Sequence, residues 1–405
     1  MNVQERMISY CRIDTQSDPY STTSPSTMKQ FDLGNLLVKQ LVEMGVKDAE
    51  IDEYCYVYGH LESNVDHACP TVGFIAHMDT APDYSGTNVN PRVIENYDGK
   101  DIELCPGVVT KVSDFPYLEK VKGKTLVVTD GSTLLGADDK AGIAAIMEAV
   151  DYLLHHPEVK HGRIAIAFTP DEEVGRGTEH FDTEKFGATF AYTMDGGQID
   201  AWSDETFNAA SAVVECTGFS IHPGSAKDKM INALNTAFEF HGMLPEHARP
   251  EHTENREPFF HLTNLEGNVD HAKMEYIIRS HDGTAFENMK KAMTAAADYI
   301  NFMHGSSVIT VEIKDSYKNM KEVLKDHPEA SVVAEKALRD IGVEPFNEVI
   351  RGGTDGSALT FRGIPCPNLG NGGENFHGRY EYCVTEELEL AVKLIVRISE
   401  LTAEE

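Results

Sequence analysis

The first half of the chain alternates short apolar runs with longer segments whose apolar residues recur at helical spacing. The short runs, which we predict to be strands, lie at 54–61, 71–76, 125–129, 163–168 and 188–194. A helix is predicted over 31–44, and another follows Asp138, where Ile143, Met147, Val150 and Leu154 share one face. Strands that alternate with helices indicate an α/β fold with a central mixed, mainly parallel sheet flanked by helices.

The pattern changes near residue 208. Strand-like runs at 209–217, 275–279 and 307–313 surround a helix that begins near Asn232 and a longer one over 283–303. We therefore predict a smaller α+β domain, residues 208–313, inserted into a discontinuous main domain made of 1–207 and 314–405. Residues 81–124 are rich in Asn, Pro, Gly and Asp, which is typical of a long functional loop or a small insertion.

Composition narrows the class of protein. The 405 residues include 35 lysines and arginines against 66 aspartates and glutamates, which gives a formal net charge of −31. A surface this acidic repels phosphate backbones and anionic membranes, so we expect neither nucleic acid nor membrane as a partner. The seven cysteines are scattered without a Cys-x-x-Cys pair, and the first residues lack the basic and apolar regions of a signal peptide. We expect a cytoplasmic protein with reduced thiols.

Polar residues capable of chemistry follow several of the predicted strands. His77 and Asp79 come after the second strand, Asp138 after the third, Glu172 and Glu173 after the fourth, and Asp195 after the fifth. Ligand sites of α/β sheets lie at the carboxyl ends of the strands, so these side chains are candidates for one site.

These residue types suit a pair of divalent metal ions. Two ions about 3.5–4 Å apart require a bridging carboxylate with histidine and carboxylate ligands on each side. Asp138 is a candidate bridge, with His77 and Asp195 on one ion and Glu173 with a distant histidine on the other. Imidazole ligands favour zinc, manganese or cobalt, whereas all-oxygen sites favour magnesium or calcium.

Each residue taken singly has a simpler interpretation, which the residues alone leave open. Asp138 lies where a helix begins, so it could be an ordinary N-cap. His77 could be a core histidine, and Asp79 could accept hydrogen bonds in a turn. Glu172 and Glu173 could be a solvated acidic turn, although adjacent side chains also allow one to ligate metal while the other acts as a base.

The ordered set of motifs is similar to the dinuclear zinc aminoacylase/carboxypeptidase superfamily of metallopeptidases, and within it to the tripeptide aminopeptidases. The motifs that carry this resemblance are His77-Met78-Asp79-Thr80, Gly136-Ala137-Asp138-Asp139-Lys140-Ala141-Gly142, Thr169-Pro170-Asp171-Glu172-Glu173-Val174-Gly175, Asp195-Gly196-Gly197, His222-Pro223-Gly224 and Arg351-Gly352-Gly353-Thr354-Asp355-Gly356. The resemblance extends over essentially the whole chain.

The resemblance implies a catalytic main domain that binds two zinc ions. The implied metal ligands are His77, Asp138, Glu173, Asp195 and His377, with Asp138 bridging. Glu172 would be the general base that acts on a water held between the metals, and Asp79 would orient His77. The peptide bond after the bridging aspartate is often cis in this superfamily, so a cis bond is expected between Asp138 and Asp139.

The resemblance also implies the substrate class. The expected activity is removal of the N-terminal residue from tripeptides, with a dipeptidase or an N-acyl-amino-acid amidohydrolase as the alternative, and a catalytically inactive binding protein as a more distant one. The substrate-binding residues implied by the resemblance are His222, Asn232, Arg279 and Arg351, although surface or interdomain ion pairs are the simpler account of the two arginines. The inserted domain would serve as a lid, as a homodimer surface, or as both.

Overall fold

The computed structural model describes residues 1–404, which divide into two compact units. The first unit comprises Met1–Asp204, Val323–Glu348 and residues 354–404, and the second comprises Glu205–Glu322 and Val349–Gly353. The second unit is wider than the predicted insert, 208–313, and it includes a returning segment of chain. That segment belongs to it because Phe207 N–H donates to Gly352 O and Ile350 N–H donates to Glu205 O.

Helices and strands alternate along much of the described chain. The helices are α1 (Val3–Cys11), α2 (Gln30–Met44), α3 (Tyr117–Lys120), α4 (Ala137–His155), α5 (Thr183–Phe186), α6 (Ala233–Met243), α7 (Gly283–His304), α8 (Lys321–Leu324), α9 (Glu329–Asp340), α10 (Asp355–Phe361) and α11 (Thr385–Glu404). The strands are β1 (Glu50–Ile51), β2 (Val57–Leu61), β3 (Val72–His77), β4 (Arg92–Ile94), β5 (Ile102–Cys105), β6 (Val108–Thr110), β7 (Leu126–Val128), β8 (Ile164–Thr169), β9 (Phe190–Gly196), β10 (Ala201–Ser203), β11 (Asn208–Thr217), β12 (Phe259–Gly267), β13 (His271–Ser280), β14 (Ile309–Tyr317), β15 (Phe346–Asn347), β16 (Asn368–Gly370), β17 (Gly373–Glu374) and β18 (Tyr382–Val384).

The first unit is built on an eight-stranded sheet with the order β1-β2-β8-β3-β9-β16-β10-β15. The neighbouring pairs β8/β3, β3/β9, β9/β16 and β10/β15 are parallel, and the remaining three pairs are antiparallel. Every residue of β3 and of β8 is buried, as expected of strands covered on both faces. The predicted α/β class with a mixed, mainly parallel sheet is confirmed.

Helices supply the apolar layer that covers this sheet. Ile143, Met147 and Val150 of α4 join Leu388 and Ile395 of α11 in the largest buried cluster of the first unit. The predicted apolar face of the helix after Asp138 is therefore the face that anchors α4. A well-packed interior of this kind resists displacement, so it holds the start of α4 in place.

The second unit contains an antiparallel sheet with the order β12-β13-β11-β14. Helices α6 and α7 contribute Phe240, Met293 and Ile300 to its core, where they join Val214 and Ile278 of the sheet. This unit therefore has an apolar core of its own. No helix within residues 1–404 is both long enough and apolar enough to cross a membrane.

One prediction about the sheet is wrong. The run before Asp138 forms β7, but β7 belongs to a separate four-stranded sheet with the order β17-β18-β7-β4. Because β7 lies in this other sheet, Asp138 does not follow a strand of the central sheet.

The segment 81–124 was predicted to be a long loop or a small insertion. It contains three short strands, β4, β5 and β6, and the short helix α3.

Candidate metal centre

His77 and Asp79 extend from the end of β3. His77 is 3% exposed and Asp79 is fully buried. His77 Nδ1 lies 3.0 Å from the backbone oxygen of Asp79 and 3.4 Å from Asp79 Oδ1, so this residue fixes the ring from one side. The opposite ring nitrogen, Nε2, is thereby directed at the carboxylates of the site.

Asp138 lies at the start of α4 but does not cap it. Its backbone angles and those of Asp139 are not helical, and the peptide bond between the two is cis, as the resemblance implied. Asp139 Oδ1 accepts the hydrogen bond from Gly142 N–H at 3.2 Å, which is the contact that an N-cap makes. The capping function thus belongs to Asp139, and the Asp138 carboxylate is available for other contacts.

The Asp138 carboxylate lies between two histidines. Oδ1 is 2.9 Å from His77 Nε2, and Oδ2 is 3.3 Å from His377 Nε2. Asp195, at the end of β9, has Oδ1 3.6 Å from His77 Nε2, and Glu173 Oε2 is 3.0 Å from His377 Nε2. The five predicted ligands therefore form two groups that share Asp138.

Glu172 and Glu173 lie in a short 3-10 turn that follows β8. The Asp79 carboxylate accepts hydrogen bonds from both of their backbone N–H groups, at 3.0 Å from Glu172 and 3.2 Å from Glu173. Asp79 thus holds the glutamate turn in addition to its contact with His77. Within residues 1–404, ligand atoms of His77, Glu172 and Asp195 lie within 4.8 Å of one another, as do those of His77, Asp138 and Glu173.

Burial and the closeness of several carboxylates oppose the ionisation of this cluster. Burial and the Asp195 carboxylate raise the pKa of Glu172 well above its ordinary value. Burial and Asp138 likewise raise the pKa of Glu173 to about 8, and burial raises the pKa of Asp195 to about 6. Burial opposes ionisation of Asp138 too, but hydrogen bonds to His377 and His77 hold its pKa below the ordinary value. The cluster disfavours full ionisation without added positive charge.

The residues present fit divalent metal ions. Imidazole nitrogens and carboxylate oxygens are the donor set that zinc accepts. Among residues 1–404, Glu173 Oε1 is one of the few buried side-chain oxygens without a hydrogen-bond partner, which is unfavourable unless another group binds it. Two divalent cations would satisfy that oxygen and balance the crowded carboxylates.

Sequence reasoning missed several carboxylates that support the site. Asp355 Oδ2 accepts from Thr169 Oγ1 at 2.6 Å, directly before the glutamate turn. Asp171 accepts from Ser26 N–H and from Gln30 Nε2. Burial of these groups raises the pKa of Asp355 to about 7 and the pKa of Asp171 above its ordinary value. Asp355 and Asp171 both lie in quoted motifs, which was the only signal that could have found them.

Glu381 is a further carboxylate that the sequence did not indicate. It is buried, and it accepts backbone hydrogen bonds from the segment that leads to Asp138. Asn371 Nδ2 supports the next residue, since it donates to Asp139 Oδ1 at 3.0 Å. Both contacts join residues more than 200 positions apart.

The four predicted substrate-binding residues belong to the second unit. His222 is exposed, and its Nδ1 accepts from Gly224 N–H at 3.1 Å. Asn232 caps α6 by accepting from Leu234 N–H. Their predicted roles toward a substrate stay predictions.

The two arginines of this set make extensive contacts within the second unit. Arg279 Nη1 donates to Ile278 O, and its guanidinium lies 5.4 Å from the centre of the Tyr317 ring. Arg351 donates to Asn255 O and Thr253 Oγ1 and lies over the rings of Phe207 and Phe259. Both guanidinium groups are therefore held in defined positions.

Comparison with known proteins shows similarity to peptidases. The family model "Peptidase family M20/M25/M40" matches residues 73–401. Proteins called Peptidase T from Clostridium perfringens and Shouchella clausii are 50% and 49% identical, and each alignment covers 99% of this chain and at least 98% of the relative. These matches confirm the resemblance that the motifs indicated.

Solved structures share the fold. Aminopeptidase PepT from Bacillus cereus has a TM-score of 0.79 at 23% identity and covers 100% of this chain and 98% of its own. The Bacillus subtilis YXEP protein, described as a dinuclear metal binding peptidase from the M20 family, has a TM-score of 0.63 at 15% identity and covers 99% of both chains.

Proposed function

The chain belongs to peptidase family M20/M25/M40 and is a hydrolase, and from this premise we propose that it is a two-zinc aminopeptidase that removes the N-terminal residue of tripeptides. The names of the full-length relatives at about half identity support the substrate class. The observation that carries the proposal is the position of the Asp138 carboxylate between His77 and His377. This arrangement is what one carboxylate shared by two metal ions requires.

The proposed ligands form two sets. His77, Asp138 and Asp195 would hold one zinc, and Asp138, Glu173 and His377 would hold the other. When bound, such ions supply Lewis acidity, which polarises a carbonyl and lowers the pKa of a coordinated water. Asp79 supports both sets because it contacts the His77 ring and the backbone of the glutamate turn.

Glu172 is the proposed general base. Its carboxylate would take a proton from the water that attacks the first peptide carbonyl, and would return that proton to the amine of the leaving dipeptide. Support for this role comes from the position of Glu172, because its ligand atom and those of His77 and Asp195 all lie within 4.8 Å of one another.

The second unit is proposed to recognise the peptide. His222 would steady the scissile carbonyl oxygen, and Asn232 would contact the substrate backbone. Arg279 and Arg351 would bind the terminal carboxylate, since a planar guanidinium donates two parallel hydrogen bonds. A role of this unit as lid or homodimer surface is part of the same proposal, as is a cytoplasmic location, which the seven unpaired cysteines support.

A side-by-side assay tests the substrate class. The zinc-loaded protein is incubated with tri-alanine, di-alanine and N-acetyl-alanine, and the products are identified by mass spectrometry. The proposal predicts alanine and di-alanine from tri-alanine, with far slower cleavage of the other two. Preferred cleavage of di-alanine or N-acetyl-alanine would instead establish the dipeptidase or amidohydrolase alternative.

A further inference from the structure

Glu381 makes an unusual set of backbone contacts close to Asp138. Its Oε2 accepts hydrogen bonds from Leu135 N–H at 2.7 Å and Gly136 N–H at 2.8 Å, and its Oε1 accepts from Asp138 N–H at 3.0 Å. The residue is only 1% exposed. A single buried side chain thus binds three of the four N–H groups between residues 135 and 138.

The local structure of residues 135–138 does little to stabilise their backbone conformation. Gly136, which directly precedes α4, has a φ of +76°, a conformation that favours glycine, and it has no side chain that could cap the helix. Asp138 itself is not helical, so its N–H lies outside the regular hydrogen-bond pattern of α4. A buried N–H without a partner is costly, and Glu381 provides the acceptor.

The residue after Asp138 is held by different groups. The Asp139 carboxylate accepts from His77 N–H at 3.2 Å, from Gly142 N–H at 3.2 Å and from Asn371 Nδ2 at 3.0 Å. Asp139 therefore secures the chain downstream, whereas Glu381 secures it upstream.

The same stretch of chain carries Glu381 and a proposed ligand. His377 precedes Glu381 by four residues, and the turn between them is closed by hydrogen bonds from Glu381 N–H to Gly378 O and from Asn375 Nδ2 to Tyr380 O. Immediately afterwards, β18 pairs with β7, where Tyr382 lies opposite Val128. The position of His377 and the backbone at Asp138 are thus set by one anchored segment.

We propose that Glu381 is a positioning residue that fixes the 135–138 backbone so that the Asp138 carboxylate faces both His77 and His377. The inference rests on the proposed function, because it assigns Glu381 a role toward the metal ions that Asp138 would share. Groups that orient metal ligands typically change metal affinity about 10–100-fold when they are mutated.

The test compares two buried glutamates of the first unit. Glu381→Gln keeps the shape of the side chain but replaces one acceptor oxygen with an NH₂ group, so at least one backbone N–H loses its acceptor. Glu387→Gln is the matched control, since Glu387 is also 1% exposed but accepts from Tyr117 Oη and Lys124 Nζ instead. Zn²⁺ affinity is measured by competition with a chromophoric chelator, and the Co²⁺-loaded proteins are compared by visible absorption.

We expect Glu381→Gln to bind Zn²⁺ about 10–100-fold more weakly and to alter the Co²⁺ spectrum, which reports ligand geometry. Glu387→Gln should bind Zn²⁺ as the wild type does, whatever its melting temperature. Glu381→Asp retains both oxygens and should recover part of the affinity, and it also serves as the test if Glu381→Gln does not fold.

Two results would overturn the inference while leaving the proposed function intact. One is a Glu381→Gln protein with wild-type Zn²⁺ affinity and Co²⁺ spectrum, and the other is an equal loss of affinity in Glu387→Gln. A wild-type protein that binds no Zn²⁺ would contradict the proposed function itself, and the inference with it.

Discussion

Replacement of Glu172 by glutamine separates a general base from a metal ligand. Both roles are chemically open, because ligand atoms of Glu172, His77 and Asp195 lie within 4.8 Å of one another. The amide keeps the size of the side chain and leaves the backbone hydrogen bond from Glu172 N–H to Asp79 Oδ1 in place. The substitution therefore removes the proton acceptor with little change to the surrounding turn.

The role of a general base sets the expected loss of rate. A positioned general base contributes about 10²–10⁴-fold to the rate. At about 1.36 kcal/mol per tenfold, this corresponds to about 3–5 kcal/mol of the activation barrier. We expect kcat for tri-alanine to fall by this factor, while the metal content of the protein stays at the wild-type value because no ligand of either proposed set has been lost.

The assay pairs turnover with metal analysis. Each purified variant is dialysed against metal-free buffer, its zinc content is measured by mass spectrometry, and tri-alanine hydrolysis is followed. Glu173→Gln is the matched control, since Glu173 is the adjacent residue of the same turn and contacts His377 at 3.0 Å. We expect this control to lose zinc as well as activity.

Two outcomes would refute the assignment of Glu172. If Glu172→Gln retains more than about a hundredth of wild-type turnover, the residue is not the general base. If it loses zinc to the same extent as Glu173→Gln, Glu172 is a ligand and the base must be another group.

Three further perturbations test other parts of the account. Chelation should abolish tri-alanine hydrolysis and added Zn²⁺ should restore it; activity that survives complete metal removal would contradict metal dependence. Hydrogen bonds to Asp138 and Glu173 raise the pKa of His377 to about 11, so the metal-free ring is protonated at neutral pH. Metal binding should therefore release protons, and the affinity for metal should weaken as pH falls. Calorimetry in two buffers of different ionisation enthalpy measures the proton release, and equal heats of binding in the two buffers would contradict it. Gly177→Ala should lower the stability by about 1–3 kcal/mol, because the added Cβ overlaps the buried Asp355 carboxylate. In the matched control Gly242→Ala the added Cβ meets no atom within 4 Å, so we expect no loss of stability. Thermal melts of both variants test these two expectations.

Much of the fold followed from apolar patterning alone. The predicted helix over 283–303 corresponds to α7 (Gly283–His304), and the strand predicted over 163–168 corresponds to β8 (Ile164–Thr169). These elements bury one face or both faces, so their periodicity appears directly in the sequence. Strand β12 was missed because most of its residues beyond Phe260 are exposed or only partly buried, which removes the alternation that identifies a strand.

The site was predictable where it follows strands of the central sheet. His77 is the last residue of β3 and Asp195 is the last but one of β9, as general rules for α/β sheets suggest. Asp138 was made a candidate by the same rule although it does not obey it, since β7 lies in another sheet, so its role depended more on the family resemblance. Glu381 could not be found from the sequence, because its contact with Asp138 joins positions 243 residues apart.

The central claim is that two metal ions share the Asp138 carboxylate. Anomalous diffraction at the zinc absorption edge, recorded from crystals of the zinc-loaded protein, tests it most directly. We expect two peaks per chain, about 3.5–4 Å apart, with one Asp138 oxygen directed at each. A single peak, or two peaks that Asp138 does not join, would contradict it.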